Sequence, residues 1–175
     1  MKIEAATAHT LKLVNKIDST FTVDSKLEVT LSENLFSYRS VSVSSYEKTY
    51  EYDDIDYSVY LNNKDRIIFF AFENEELAGQ IIILKYWNTY AYINDIRVEN
   101  EFRGKGIGKA LMLKAIEWAK MNSCIGVEVE TQDVNVRACL FYEKLGFVLG
   151  GFNSFRYKSF ENEKNEIALN WYLLF

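Results

Sequence analysis

A glycine-rich stretch between a strand-like and a helix-like segment constrains this chain more than any other feature. It reads Arg103-Gly104-Lys105-Gly106-Ile107-Gly108 and follows residues 90–98, which are rich in aromatic and β-branched side chains. The residues that come next, up to Lys120, are mostly good helix formers. Glycines at a helix entrance let an anion approach backbone N–H groups at the positive end of the helix dipole. The stretch therefore predicts a site for a phosphorylated ligand.

Three known phosphate loops can be compared with this stretch. A Walker loop needs Ser or Thr after its Gly-Lys, but Gly106 follows Lys105. A dinucleotide fingerprint needs wider spacing between its last two glycines than Gly106 and Gly108 have. The pattern of Arg103, Gly106 and Gly108 resembles the Arg/Gln-x-x-Gly-x-Gly/Ala loop of the GNAT superfamily, the acyl-CoA-dependent N-acyltransferases. A plain glycine-rich turn remains the alternative for these six residues alone.

A second motif follows in the order that the GNAT superfamily has. Residues 125–131 alternate as a half-buried strand does, and Asn135 is a good N-cap for the short helix after it. Tyr142 lies on that helix, and Gly146-Phe147 ends it. Two motifs in order, separated by one helix, are more specific than either alone. The resemblance covers about residues 66–175 and extends only loosely to the N-terminal third.

Several shorter stretches resemble the streptothricin acetyltransferases, which are GNAT enzymes that acetylate the β-lysine amine of an antibiotic. These are residues 87–96, 130–135, 138–142 and 166–172, together with an acidic-aromatic segment at residues 53–57. Asn94 and Arg97 depart from the group, where acidic and small residues are common. The resemblance implies acetyl transfer from acetyl-CoA to a small cationic amine. Another amine, such as a polyamine, an amino sugar or a protein N-terminus, is the first alternative, and a non-catalytic acyl-CoA sensor is the second.

The resemblance also implies a fold and a way to hold acetyl-CoA. The fold is an α+β, three-layer GNAT fold, with a mixed, mostly antiparallel sheet of about six to seven strands flanked by helices. The sheet splays at its central parallel pair, and a backbone N–H after a bulge near Asp95 to Ile96 polarises the thioester carbonyl. The cofactor-binding residues are expected to be Ile96, Arg97, Val98, Arg103, Gly104, Lys105, Gly106, Ile107, Gly108, Lys109, Asn135 and Tyr142.

Catalysis requires a group that takes a proton from the attacking ammonium, whose pKa is about 10.4. Glu130 matches the position where some GNAT enzymes place a proposed base, and a solvated strand glutamate is the alternative. Asp95 is the second candidate, as base or amine anchor. Tyr142 matches the family tyrosine that protonates the leaving thiolate, with a core aromatic as the alternative. Asp95, Tyr57 and Asp56 are the predicted substrate-binding residues.

Composition agrees with a small enzyme in a single domain spanning residues 1–175. The net charge of −5, from 20 basic and 25 acidic residues, argues against nucleic acid and suits a cationic substrate. Cys124, Cys139 and the one histidine, His9, offer neither a disulfide framework nor a metal cluster. We read Cys139 as a packing residue. A cytoplasmic protein without signal peptide or membrane span is expected, as a monomer or homodimer.

Periodicity predicts the remaining elements. Strands are expected at residues 20–23 and 26–31, and a hairpin at residues 66–72 and 78–84. Residues 32–60 show no sustained period and are expected to be irregular, with short helical pieces. The helix expected after the glycine-rich stretch has an apolar stripe at 3.6-residue spacing. Its members are Ile107, Leu111, Met112, Ala115, Ile116 and Ala119. Further strands are expected at residues 126–131, 147–152 and 167–175.

Overall fold

The computed structural model describes residues 1–50 and 55–175, which form two compact units. The first comprises Met1–Ser19, Thr49–Val127 and Leu174–Phe175, and the second comprises Thr20–Lys48 and Glu128–Leu173. The strands are β1 (Lys2–Ala5), β2 (Phe21–Ser32), β3 (Leu35–Lys48), β4 (Arg66–Glu73), β5 (Glu76–Lys85), β6 (Ala91–Val98), β7 (Gly126–Gln132), β8 (Val148–Asn153) and β9 (Ala168–Leu174). The helices are α1 (Ile107–Met121) and α2 (Val136–Lys144). The single domain expected from the length stays a prediction.

Four strands of the first unit lie in the order β1-β4-β5-β6, and each neighbouring pair is antiparallel. The predicted hairpin is confirmed as β4 and β5. Its two-residue turn has positive φ at both Asn74 (49°) and Glu75 (70°), the geometry that matches strand twist in tight hairpins. β1 was not predicted, because a strand of four residues is too short for its alternation to stand out.

Helix α1 packs on β4, β5 and β6 through its apolar stripe. The stripe is confirmed except at one position, since Trp118 is buried and Ile116 is only half-buried. Close contact with β5 depends on Gly79. A Cβ there would lie 2.9 Å from Leu111 Cδ1, closer than real Cβ contacts, and 3.0 Å from the Arg97 carbonyl oxygen, which is tighter than most of them. Gly79 thus fixes the distance between α1 and the strand on which the site is built.

The second unit contains the order β7-β9-β8 and a separate hairpin of β2 and β3. Helix α2 begins after Asn135, whose side-chain oxygen accepts a hydrogen bond from the Ala138 N–H at 3.2 Å. Gly146 follows the helix with φ of 90°, a left-handed conformation that favours glycine. The predicted cap, helix and terminator are therefore confirmed.

The prediction of irregular structure for residues 32–60 was wrong for residues 35–48. Strand β3 occupies fourteen of these residues and pairs with β2 from Phe21 to Ser32. Its half-buried side chains fall at even positions, Phe36 and Tyr38, and then at odd positions, Val41 and Val43. This change of phase breaks the two-residue period by which a strand is recognised. One expected helical piece is present as a 3₁₀ helix at Tyr57–Tyr60.

Candidate active site

The glycine-rich loop leaves open space in front of its backbone. Gly104 and Gly106 have φ of 76° and 86°, and a Cβ added at either meets no atom of the described residues within 4 Å. Ile107, next in the chain, is buried and anchors the loop in the core. Arg103 Nε donates to the Val98 carbonyl oxygen at 3.0 Å, which ties the loop to the end of β6. A ligand can therefore approach the backbone closely.

The start of α1 offers backbone donors to such a ligand. The first helical hydrogen bond runs from the Ala110 N–H to the Gly106 carbonyl at 3.0 Å, so the N–H groups of residues 107–109 precede it. Within the part of the chain that the structure describes, no side chain caps this helix. Lys105 and Lys109 are exposed beside it. Uncapped N–H groups, a helix dipole and two lysines fit a diphosphate.

Strand β6 carries a bulge close to the position that the family resemblance implies. Ile82 of β5 pairs with Asp95 and Ile83 pairs with Ile93, so Asn94 is the extra residue. The bulge lies one position before the expected segment from Asp95 to Ile96. An extra residue interrupts the strand ladder and redirects the backbone groups that follow it.

Asp95 is held by both of its carboxylate oxygens. Arg97 Nε donates to Oδ1 at 2.6 Å, and Gln80 Nε2 donates to Oδ2 at 2.5 Å. Gln80 is fully buried, and its Oε1 accepts the Asn15 N–H at 3.0 Å. Asn15 Nδ2 in turn donates to the Tyr57 hydroxyl at 3.2 Å. Two predicted substrate-binding residues, Asp95 and Tyr57, thus belong to one hydrogen-bond network.

Sequence reasoning missed the two residues that link this network. Gln80 has a recognisable signal, because it is the one polar side chain in the apolar run of residues 77–84. A buried amide requires hydrogen-bond partners. Asn15 has no comparable signal, since it lies 65 positions from Gln80 in the sequence.

Asp56 has a local structural role. Its carboxylate accepts the Ser58 N–H at 2.9 Å and the Ser58 hydroxyl at 2.8 Å, and so caps the 3₁₀ helix at Tyr57–Tyr60. Hydrogen bonds from the Ser58 side chain and backbone hold the pKa of Asp56 below its ordinary value. Its predicted contact with substrate stays a prediction. Residues 51–54, which include the first two residues of the acidic-aromatic segment, lie outside the described residues.

Glu130 is mostly buried on β7 and is paired on both oxygens. Its side chain is 12% exposed. The Tyr157 hydroxyl donates to Oε1, and Arg156 Nε lies 3.2 Å from Oε2. Burial raises the pKa of Glu130 above its ordinary value, although the hydrogen bond from Tyr157 and the charge of Arg156 act in the opposite direction. The alternative of a solvated strand glutamate does not describe this environment.

Tyr142 and Cys139 lie on the buried face of α2. Tyr142 is 4% exposed, and its ring centroid lies 5.8 Å from that of Phe147. Its role as proton donor stays a prediction. Cys139 is fully buried, and burial raises the pKa of its thiol to about 12. The thiol is therefore neutral at physiological pH, as the interpretation of Cys139 as a packing residue requires.

The structure brings the predicted residues together in two groups, one in each unit. The glycine-rich loop, β6, Asp95 and Tyr57 belong to the first, whereas Glu130, Asn135 and Tyr142 belong to the second. The partners of Glu130 were not predicted. Both lie on residues 154–167, which form turns and carry no periodic pattern.

Neither a metal-binding group nor a membrane-spanning helix is found among the described residues. In residues 1–50 and 55–175, no group of three or more His, Cys, Asp or Glu side chains is placed to hold a metal ion. No helix within these ranges is long and apolar enough to cross a bilayer.

Comparison with known proteins identifies relatives along most of the chain. The model of the Acetyltransferase (GNAT) family matches residues 31–147. Streptothricin acetyltransferase A of Bacillus subtilis (strain 168) is 39% identical over 166 residues, which are 94% of this chain and 95% of that protein. Streptothricin acetyltransferase of Escherichia coli is 38% identical over 152 residues, which are 87% and 84% of the two chains.

Solved structures give the same picture at the level of the fold. A candidate streptothricin acetyltransferase from Bacillus anthracis str. Ames, in complex with acetyl coenzyme A, is 39% identical with a TM-score of 0.91. A nourseothricin acetyltransferase is 27% identical with a TM-score of 0.83. Each match covers 99% of this chain and 97% of the other. The predicted fold, a mixed and mostly antiparallel sheet flanked by helices, is confirmed.

Proposed function

This chain belongs to the GNAT acetyltransferase family, and we propose that it transfers the acetyl group of acetyl-CoA to the β-lysine amine of streptothricin. The observation that carries the proposal is the 39% identity to a streptothricin acetyltransferase over 94% of the chain. A polyamine, an amino sugar and a protein N-terminus are the competing acceptors. An enzyme for any of these acceptors would bind acetyl-CoA with the same loop, so the identity of the acceptor must be tested directly.

The loop at residues 103–109 fits the diphosphate of acetyl-CoA. The space in front of Gly104 and Gly106 admits the phosphates, and the N–H groups of residues 107–109 donate to their oxygens. Lys105 and Lys109 supply positive charge at the rim. Acetyl-CoA supplies the activated acetyl group, and the backbone after the bulge at Asn94 offers a donor to the carbonyl that is attacked.

Glu130 is the base in this proposal. A primary ammonium with a pKa of about 10.4 cannot attack until it loses a proton. The pKa of Glu130 is raised, which brings the carboxylate closer to the operating pH of a general base. Tyr157 and Arg156 each use one position on the carboxylate oxygens, and the remaining lone pairs can accept a proton directly or through water.

Asp95 acts as an anchor for the cationic acceptor rather than as the base. Its two oxygens are already bonded to Arg97 and Gln80, so its orientation is fixed. The Tyr57 hydroxyl, at the other end of the same network, adds a hydrogen-bonding group for the acceptor. Tyr142 gives its hydroxyl proton to the thiolate that leaves.

Thiol release from acetyl-CoA tests the proposal, with streptothricin, spermidine and a short peptide as separate acceptors. Mass spectrometry of the product identifies the acetylated amine. We expect rapid release with streptothricin and a mass increase of one acetyl group on its β-lysine. Rapid thiol release with spermidine or the peptide, and none with streptothricin, would show that streptothricin is not the acceptor. Tight binding of acetyl-CoA without release by any of the three would contradict the proposal.

A further inference from the structure

The side chain of Lys48, at the end of β3, is buried among carboxylates. It is 8% exposed, and its Nζ lies 2.9 Å from Glu163 Oε1 and 2.9 Å from Glu166 Oε1. Burial alone would lower the pKa of Lys48, but hydrogen bonds to the two glutamates outweigh it and raise the pKa. Lysine is almost never buried without such partners. We refer to Lys48, Glu163 and Glu166 as the Lys48 cluster.

Both glutamates belong to the β8–β9 loop, defined as residues 154–167, which is a run of turns. The loop is fixed to β7 at its far end. Gln132 Nε2 donates to Glu163 Oε2 at 3.1 Å, and the Asp133 side chain accepts the Ile167 N–H at 3.0 Å. Lys48 and the residues at the end of β7 therefore hold the same part of the loop, residues 163–167.

The same loop carries both partners of Glu130. Tyr157 is buried and donates to Oε1, and Arg156 lies against Oε2. Glu163 adds a third influence, because its negative charge raises the pKa of Glu130. A shift of the loop would therefore change both the orientation and the proton affinity of that carboxylate.

We propose that the Lys48 cluster is a positioning device for Glu130. The ammonium of Lys48 ties the β8–β9 loop to the end of β3, and the loop holds the carboxylate through Tyr157 and Arg156. Lys48 thus acts without touching either reactant. This inference rests on the proposed role of Glu130 as the base.

The pH response to removing Lys48 has a definite sign. The groups that face Glu130 are Tyr157, Arg156 and Glu163, and Glu128 lies two residues away on β7 with a hydrogen bond from Tyr172. Without Lys48, the charge of Glu163 is no longer balanced, and Tyr157 and Arg156 loosen. Both changes raise the pKa of Glu130, so the acidic limb of the rate profile moves to higher pH.

The test compares Lys48→Met, Lys48→Arg and Lys164→Met in the full chain, with circular dichroism to confirm folding. Lys164 is the matched control, because it forms an exposed ion pair with Glu161 within the same loop. We expect Lys48→Met to lower kcat about tenfold and move the acidic limb up by about one pH unit, with KM for acetyl-CoA unchanged. Lys48→Arg retains most activity, and Lys164→Met matches the wild type. An unchanged kcat and limb in Lys48→Met would overturn the inference.

A double variant separates this inference from the assignment of the base. If Lys48 acts through Glu130, Lys48→Met lowers kcat of a Glu130→Gln enzyme less than about twofold. An equal tenfold loss in both backgrounds would overturn the positioning role while leaving the base in place. A wild-type kcat in Glu130→Gln alone would overturn the base and the inference with it.

Glu163→Gln provides an independent measurement if Lys48→Met does not fold. The amide keeps an acceptor for Lys48 but removes the charge that raises the pKa of Glu130. We expect the acidic limb to move to lower pH, opposite to the shift in Lys48→Met. An unchanged limb would overturn the link between the cluster and Glu130.

Discussion

Two acidic side chains, Asp95 and Glu130, are both mostly buried and doubly bonded, but they are held in different ways. Asp95 is fixed by Arg97 on its own strand and by Gln80 on the neighbouring strand. Glu130 is fixed by two residues of a loop that lie 26 and 27 positions away. Loops are more mobile than strands. The partners of Glu130 can therefore shift more easily than the strand residues that hold Asp95. This difference agrees with the proposed roles of Asp95 as an anchor for the acceptor and of Glu130 as the base.

The largest expected effect comes from removing the carboxylate of Glu130, the proposed base. Glu130→Gln should lower kcat about 100-fold while KM for acetyl-CoA changes little, because a general base contributes to the chemical step. Steady-state kinetics measure both. Glu128→Gln is the matched control on the same strand, since Glu128 also accepts from a tyrosine hydroxyl, that of Tyr172 at 3.1 Å. Equal losses in the two variants would contradict the assignment.

Removal of the carboxylate of Asp95, the proposed anchor, should affect binding of the acceptor more than turnover. Asp95→Asn is expected to raise KM for streptothricin about tenfold, because a cationic acceptor loses a charged partner. kcat at saturating acceptor should fall less than in Glu130→Gln. A fall in kcat as large as that in Glu130→Gln, with KM unchanged, would make Asp95 the base and reverse the comparison.

Removing a hydrogen bond between the β8–β9 loop and Glu130 should shift the pH dependence of kcat. Tyr157→Phe removes a hydrogen bond that lowers the pKa of Glu130, so this pKa rises and the acidic limb moves to higher pH. A loss in kcat of about fivefold at neutral pH is expected. Tyr172→Phe is the control, because its hydroxyl donates to Glu128. The same shift in both variants would show that the effect is not specific to Glu130.

The smallest effect is expected from removing a hydrogen-bond partner of Asp95 while the charge of Asp95 is kept. Gln80→Met breaks the bonds to Asp95 and Asn15 inside the core. The free energy of unfolding should fall by about 1–2 kcal/mol, and KM for streptothricin should rise about threefold. Denaturant titration and steady-state kinetics test these values. An effect on KM larger than that of Asp95→Asn would place the anchoring function elsewhere.

The sequence predicts those parts of the site that local patterns determine. The glycine-rich loop, the cap at Asn135 and the hairpin of β4 and β5 each depend on a few adjacent residues, and each was found at its predicted place. The strand β3 was missed because its apolar side chains change phase between Tyr38 and Val41.

The hydrogen-bond networks that hold Asp95 and Glu130 were also not predicted, and the reason is the sequence distance between their members. The bond from Asn15 to Gln80 spans 65 positions, and the bonds from Lys48 to Glu163 and Glu166 span 115 and 118. Such contacts depend on how distant segments pack, and no periodicity or spacing records them. Residue types predicted the chemistry, whereas tertiary structure was needed to identify the partners that tune it.

The pH dependence of kcat/KM for the wild type, Glu130→Gln and Asp95→Asn, with streptothricin as acceptor, tests the central claim most directly. A base must be deprotonated, so the wild-type rate should rise with pH through the pKa of Glu130, which burial raises above its ordinary value. We expect this acidic limb to disappear in Glu130→Gln and to persist in Asp95→Asn. A limb that persists in Glu130→Gln and disappears in Asp95→Asn would contradict the account.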